Sequence, residues 1–352
     1  MIKTEVIKIN RYKPEAEKIK YAADIIRRGG LVAFPTETVY GLGADAFNEK
    51  AVRKIFKVKG RPPDNPLIVH ISEVLDIKGL TDHVPTRAIK LIKKFWPGPL
   101  TIIFKKSKNI SNIITAGSDA VAIRMPDNLI ALSLIKECKV PLVAPSANKS
   151  GKPSPTKAKD VLEDMDGLID LILDGGQTKI GIESTVIDMT AEVPTILRPG
   201  AITLKEIQEN IGEVGLITVE EDKKGLVSAT VEPARSPGLK YKHYAPKAQL
   251  IIVEGKPDDV DKKIRILAED ALKDKKKVGI ITFRKGVRYK DCVISFAGSR
   301  AETIAKRIFT ILREMDRKGV DLIISESISE NGLGFAIADR LRRASGFNII
   351  KA

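Results

Sequence analysis

The stretch from Lys57 to Ile71 most constrains this chain of 352 residues. Lys57, Lys59 and Arg61 put three positive charges into five residues, and Gly60 lets the backbone turn between them. Pro62, Pro63 and Pro66 then forbid a helix and stiffen the chain. Leu67, Ile68 and Val69 read as a short buried strand with His70 at its end. The expectation is a stiff, exposed cationic loop that holds a polyanion at a fixed distance from a sheet. A merely solvated basic loop is the plainer alternative, and the three prolines weigh against it.

On both sides of this loop, strands and helices alternate. Val6, Ile7 and Ile9 suggest a first strand, and Ile19, Ala22, Ala23 and Ile26 share one helical face closed by Gly29 and Gly30. Leu31 to Phe34 reads as a buried strand. Asn48 can cap a helix carrying Val52, Ile55 and Phe56. Further strands fit 100–104, 120–123, 141–144, 168–173, 184–189 and 195–197, with helices over 85–95 and 127–137. Thr203 can cap a last helix over 204–211. This first domain is assigned to residues 1–212. Residues 213–247 lose periodicity and gain prolines, yet carry Arg235, Tyr241, His243 and Tyr244, too aromatic for an inert linker. From 248 to 352 strands and helices alternate again, which predicts a smaller, Rossmann-like doubly wound α/β domain.

Apolar residues make up 43% of the chain and charged ones 30%, so a sizeable core is available. The formal net charge of +15 predicts attraction to polyanions, RNA included, without naming one. Two lone cysteines, Cys138 and Cys292, make neither a zinc knuckle nor a disulfide framework, and fit a reducing, cytoplasmic setting. No apolar run reaches membrane-spanning length.

Several chemistries are excluded. No phosphate-binding Gly-x-x-x-x-Gly-Lys-Ser/Thr loop occurs. Gly41 to Ala46 match a loose dinucleotide fingerprint, but the following helix starts too late, at Asn48. His70, His83 and His243 stand far apart, with no Cys or Glu at metal spacing, so no metal site is expected. Ser146 lacks the frame of a hydrolase nucleophile. Gly332-Leu333-Gly334, ahead of the last helix, could cradle an anion or form a plain turn.

What remains is a set of polar segments placed at strand ends: Thr36 to Gly43, Lys59 to Asn65, Arg124, Ser146 to Ser154, Ser184 and Arg198. Rich in Lys, Arg, Ser, Thr and Asn and poor in carboxylates, they suit positioning and charge neutralisation rather than covalent catalysis.

These segments resemble a known family. Pro35-Thr36-Glu37-Thr38-Val39-Tyr40-Gly41-Leu42-Gly43, Lys59-Gly60-Arg61-Pro62, Asn65-Pro66-Leu67, Pro145-Ser146-Ala147-Asn148, Ser184-Thr185-Val186 and Arg198-Pro199-Gly200 look like the signature of the YrdC-type L-threonylcarbamoyladenylate synthases. The tail beyond 212 looks like that of the longer, two-domain members. The resemblance implies a YrdC-like twisted open mixed sheet with flanking helices, and a nucleotidyltransferase. Its substrates would be L-threonine, bicarbonate and ATP carrying Mg2+. Its product would pass to a tRNA-modifying transferase complex. Lys59, Arg61, Ser146 and Asn148 would be catalytic. With them, Asn65, Ser154, Arg198, Arg235 and Tyr241 would hold ATP. Thr36, Tyr40, His70, Arg124 and Ser184 would line the threonine side, Arg124 facing the substrate carboxylate. Apart from the resemblance, the length and aromatics of 213–247 suggest a lid folded back over the nucleotide site, the alternative being a loose tether to a tRNA- or partner-binding module. Two rival readings stay open: a non-catalytic RNA-binding translation accessory protein, which the scattered aromatics, 5% of the chain, do not favour, and a carbamoyltransferase of the hydrogenase-maturation type, whose zinc-finger cysteines two lone cysteines cannot supply.

Overall fold

The computed structural model describes residues 3–217, 220–221, 227–228 and 243–352. The chain forms two compact units, residues 1–150 with 154–240, and residues 151–153 with 241–352.

The first unit runs β1 (Glu5–Lys8), α1 (Ala16–Arg27), β2 (Val32–Pro35), β3 (Tyr40–Asp45), α2 (Glu49–Lys59) and β4 (Ile68–His70). Then come α3 (Thr86–Phe95), β5 (Leu100–Lys105), α4 (Asn112–Thr115), β6 (Ala120–Arg124), α5 (Leu129–Cys138) and β7 (Leu142–Val143). It closes with α6 (Ala158–Met165), β8 (Leu171–Asp174), β9 (Thr185–Asp188), β10 (Thr195–Arg198), α7 (Leu204–Ile211) and β11 (Gly215–Leu216). Two short strands, β12 (Glu220–Glu221) and β13 (Val227–Ser228), pair antiparallel.

Eleven strands make one mixed sheet in the order β1-β8-β2-β3-β7-β4-β6-β5-β9-β10-β11. Both faces are covered, which explains the unbroken apolar run of β2. Val32 and Phe34 enter one core with Ile26 and Leu134, while Leu31 and Ala33 enter the other with Ile55 and Leu91. Helix ends follow local chemistry. The Asn48 side chain accepts from Ala51 N at 3.1 Å to start α2, and Gly60 ends it in the left-handed region, with φ 59°. Thr203 and Glu206 form a capping box on α7.

Two local expectations are corrected. Residues 40–45 are an internal strand, not a loop leaving one. Their glycines hide it: a Cβ at Gly43 would lie 2.7 Å from Phe34 Cε1, so close packing selects the residue that lowers strand propensity. Lys57 and Lys59 belong to the last turn of α2, and Lys59 and Arg61 are buried, not exposed on a loop. Their segment follows a helix rather than a strand.

The second unit has β14 (Gln249–Glu254), α8 (Pro257–Lys273), β15 (Val278–Thr282), β16 (Val293–Phe296), α9 (Ala301–Arg317), β17 (Leu322–Glu326), α10 (Leu333–Ser345) and β18 (Ile349–Lys351). Its five strands are parallel, in the order β16-β15-β17-β14-β18. The linker's end is built into this unit: the Tyr244 ring stacks on Phe309, centroids 5.1 Å apart, with the Arg340 guanidinium 5.5 Å from its centre. The rest of the expected lid falls largely outside the described residues. Among those described, no helix is long and apolar enough to cross a membrane.

Candidate active site

Strand register gathers residues that are distant in sequence. Arg124 on β6 is opposite His70 on β4 and Thr101 on β5. Cross-strand partners share a face, so the three side chains form one polar row. The row extends through hydroxyls. Thr101 Oγ1 and Ser184 Oγ are 2.7 Å apart, and Arg198 donates to Ser184 from Nη2 to Oγ and from Nε to the carbonyl, both at 3.1 Å. Arg198 thus joins Ser184, a threonine-side residue of the sequence reading.

The turn between β2 and β3 lies against this row. Thr36 Oγ1 donates to Val39 O at 2.7 Å and sits 2.9 Å from Thr38 Oγ1. Arg124 Nη2 donates to Thr38 Oγ1 at 3.0 Å and is 2.7 Å from Glu37 Oε1. The second contact is ionic rather than an aligned hydrogen bond, for neither Glu37 oxygen nor Arg124 Nε has a hydrogen-bond partner among the described residues. Glu37 is 2% exposed and Arg124 4%, so this is a buried charge pair with unspent hydrogen-bonding capacity. Burial, then the Arg124 charge, lower the His70 pKa to about 3, and its Nδ1 donates to Ile68 O at 3.2 Å. His70 is therefore neutral. The Tyr40 hydroxyl donates to Gly176 O at 2.7 Å, and burial, then the charge of Asp174, raise its pKa.

A second group surrounds the loop after β7. Lys59 Nζ donates to the carbonyls of Ser146 and Asn148. Its ammonium therefore braces that loop from beneath. Arg61 donates to Asn65 Oδ1 and Pro66 O, both at 2.7 Å, and so shapes the turn that carries Asn65. Strand β3 links the two groups: Gly41 bridges to Ser146, and Ala147 N donates to Tyr40 O at 2.8 Å. The Ser154 hydroxyl donates to Glu183, and Arg235 and Tyr241 lie outside the described residues.

A model of the Sua5, YciO and YrdC proteins, described as telomere recombination, matches residues 24–200. A model of the threonylcarbamoyl-AMP synthase C-terminal domain matches residues 202–346. The threonylcarbamoyl-AMP synthase of Pyrococcus abyssi is 49% identical over 341 residues, 97% of this chain and 98% of that protein. The chain belongs to the threonylcarbamoyl-AMP synthase family. The Bacillus subtilis threonylcarbamoyl-AMP synthase is 47% identical over 95% of this chain and 94% of its own length. A crystal structure of P. abyssi Sua5 complexed with L-threonine superposes with a TM-score of 0.92 at 48% identity, covering 99% of this chain and 100% of that one. As a family member the chain is an enzyme of nucleotidyltransferase type, not a non-catalytic RNA-binding module.

Thr101, Thr38 and Glu37 contact this candidate row, and the sequence did not single them out. Glu37 had one signal: it is the lone carboxylate between Phe34 and Ala44. Thr101 had none, because its place depends on strand order.

Proposed function

We propose that the polar row binds L-threonine and that the Ser146–Asn148 loop binds the ATP phosphates. The two sites would be held together by β3. Threonine's amine condenses with bicarbonate, losing water, to give a carbamate. A carbamate oxygen attacks the α-phosphorus, the bond to the β-phosphate breaks, and pyrophosphate leaves with threonylcarbamoyl-AMP formed.

The observation that carries this reading is the row itself. Arg124 stands between a hydroxyl-rich turn and a neutral imidazole, its buried Nε without a hydrogen-bond partner among the described residues. A guanidinium so placed suits a substrate carboxylate, which it can take bidentately. Neutral His70 and the Thr101–Ser184 hydroxyls suit uncharged groups of the amino acid. On the phosphate side Lys59 supplies positive charge beneath the loop, where negative charge grows as pyrophosphate departs.

Among the described residues no three His, Cys, Asp or Glu side chains gather as a metal cage. Mg2+ would arrive on ATP, held chiefly by phosphate and water. The product would pass to a tRNA-modifying transferase complex, and the +15 charge suits work beside tRNA in the cytoplasm. The domain limits 1–212, 213–247 and 248–352 stand as part of this proposal. Pyrophosphate release from ATP, measured with and without threonine and bicarbonate, tests it. Release should require both, and release indifferent to threonine would overturn the assignment.

A further inference from the structure

The second unit contains a cavity that the synthase reaction leaves unused. Its sheet shows where a ligand belongs. The connection from β14 to β15 runs one way along the sheet, while those from β16 to β17 and from β17 to β18 run the other way. Right-handed crossovers put the helices of opposite moves on opposite faces. α9 and α10 accordingly pack together, while α8 packs against β14, β15 and β17. Strands β14 and β17 are neighbours whose chains leave to opposite sides, so a crevice opens beyond their carboxyl ends. Open parallel sheets bind ligands at such a switch point.

A cavity of about 380 Å³ lies at that crevice, lined among others by Gly255, Arg284, Ser299, Glu326, Ser327 and Asn331. This volume suits a mononucleotide-sized ligand. Among the described lining residues Arg284 is the one cation. It is pre-oriented: Nε and Nη2 lie 2.9 and 2.7 Å from Glu326 Oε1, and Nη2 lies 3.5 Å from Asp261. Its Nη1 makes no hydrogen bond to the described protein. The Ser299 and Ser327 hydroxyls and the Asn331 amide also have no protein partner among the described residues. Helices α8, α9 and α10 all begin at this end, and none is capped by a side chain. Glycine brings backbone close at the rim. Gly332 has φ 57°, and a Cβ at Gly334 would lie 2.0 Å from Ser329 O.

We infer that this cavity is a second ligand site, built for a small phosphate ester of mononucleotide size. The phosphate would take Arg284 Nη1, the seryl hydroxyls and the helix-start amides, and a sugar hydroxyl would face Glu326.

The test titrates the full-length protein with AMP by calorimetry, beside Ser299→Asp and Asn331→Asp. Each substitution places a carboxylate at a helix start, which favours the helix while occupying the anion seat. A melting temperature at or above wild type will show that the fold is kept. Each variant is expected to bind one AMP fewer than wild type, with affinity there weakened about tenfold or more. That difference reads this cavity alone, whatever the catalytic site does with AMP. Ribose 5-phosphate is expected to compete for the lost site, and adenosine is not. Equal AMP counts in all three proteins would overturn the inference, as would a site that adenosine fills as well as AMP.

Discussion

Replacing Glu37 by glutamine tests the geometry of the amino-acid side directly. The change keeps size and an acceptor oxygen but removes the negative charge 2.7 Å from Arg124 Nη2. With both residues under 5% exposed, water cannot take over that role. Breaking a buried pair from one side typically destabilises by 3–5 kcal/mol; since glutamine matches glutamate in size and leaves no cavity, about 3 kcal/mol is expected. The single tryptophan, Trp96, is buried in the first unit and reports that unit during urea unfolding. Threonine should then discriminate. In Glu37→Gln the substrate carboxylate supplies the missing countercharge, so saturating threonine should raise the urea midpoint more than in wild type. A loss below about 1 kcal/mol would show that the pair is close to neutral in net effect. A threonine shift no larger than in wild type would remove Arg124 from the substrate carboxylate.

Arg124→Lys should weaken threonine about tenfold or more while leaving ATP affinity within about twofold, since a point charge cannot reproduce a planar fork; separate calorimetric titrations decide it. Lys59→Met keeps the apolar stem but strips the donor from the Ser146 and Asn148 carbonyls. It should cost about 1–3 kcal/mol of stability and lower pyrophosphate release more than about tenfold, and wild-type turnover would refute its role. In Gly200→Ala the new Cβ would lie 2.2 Å from Thr185 N, forcing Ser184 off Arg198. Lower stability and weaker threonine binding are expected, and wild-type melting would refute the packing. His70 has a folded pKa lowered to about 3, from an ordinary value of 6.5. Only the unfolded chain takes up that proton between those values, so stability should fall as pH drops from 6.5 towards 3, by at most about 1.4 kcal/mol per pH unit. His70→Gln should remove this component, and identical pH profiles for the two proteins would refute it.

Local chemistry was legible where one residue decides an outcome. Asn48 and Thr203 announce their helices, and the apolar run at 31–34 announces a strand covered on both faces. Strand β3 escaped because Gly41 and Gly43, chosen for close packing, lower the strand signal. Lys59 read as a loop cation because the prolines begin only at 62, while α2 runs through 59. The alignment of His70, Thr101 and Arg124 follows from strand order, which no single segment encodes.

The order of the first unit's sheet also bears on how the chain is made. β2 pairs with β3 at once, but its other edge must wait for β8, and so must β1. At ordinary rates of translation that interval is roughly seven to thirty seconds. Throughout it the nascent chain carries an open edge of Val32, Ala33 and Phe34, and this is where association between chains on one message would begin. The waiting partner is harmless: β1 bears Glu5 and Lys8 and stays mostly exposed after pairing. Slowing the ribosome between residues 36 and 170 should therefore lower the soluble yield, and speeding it there should raise it.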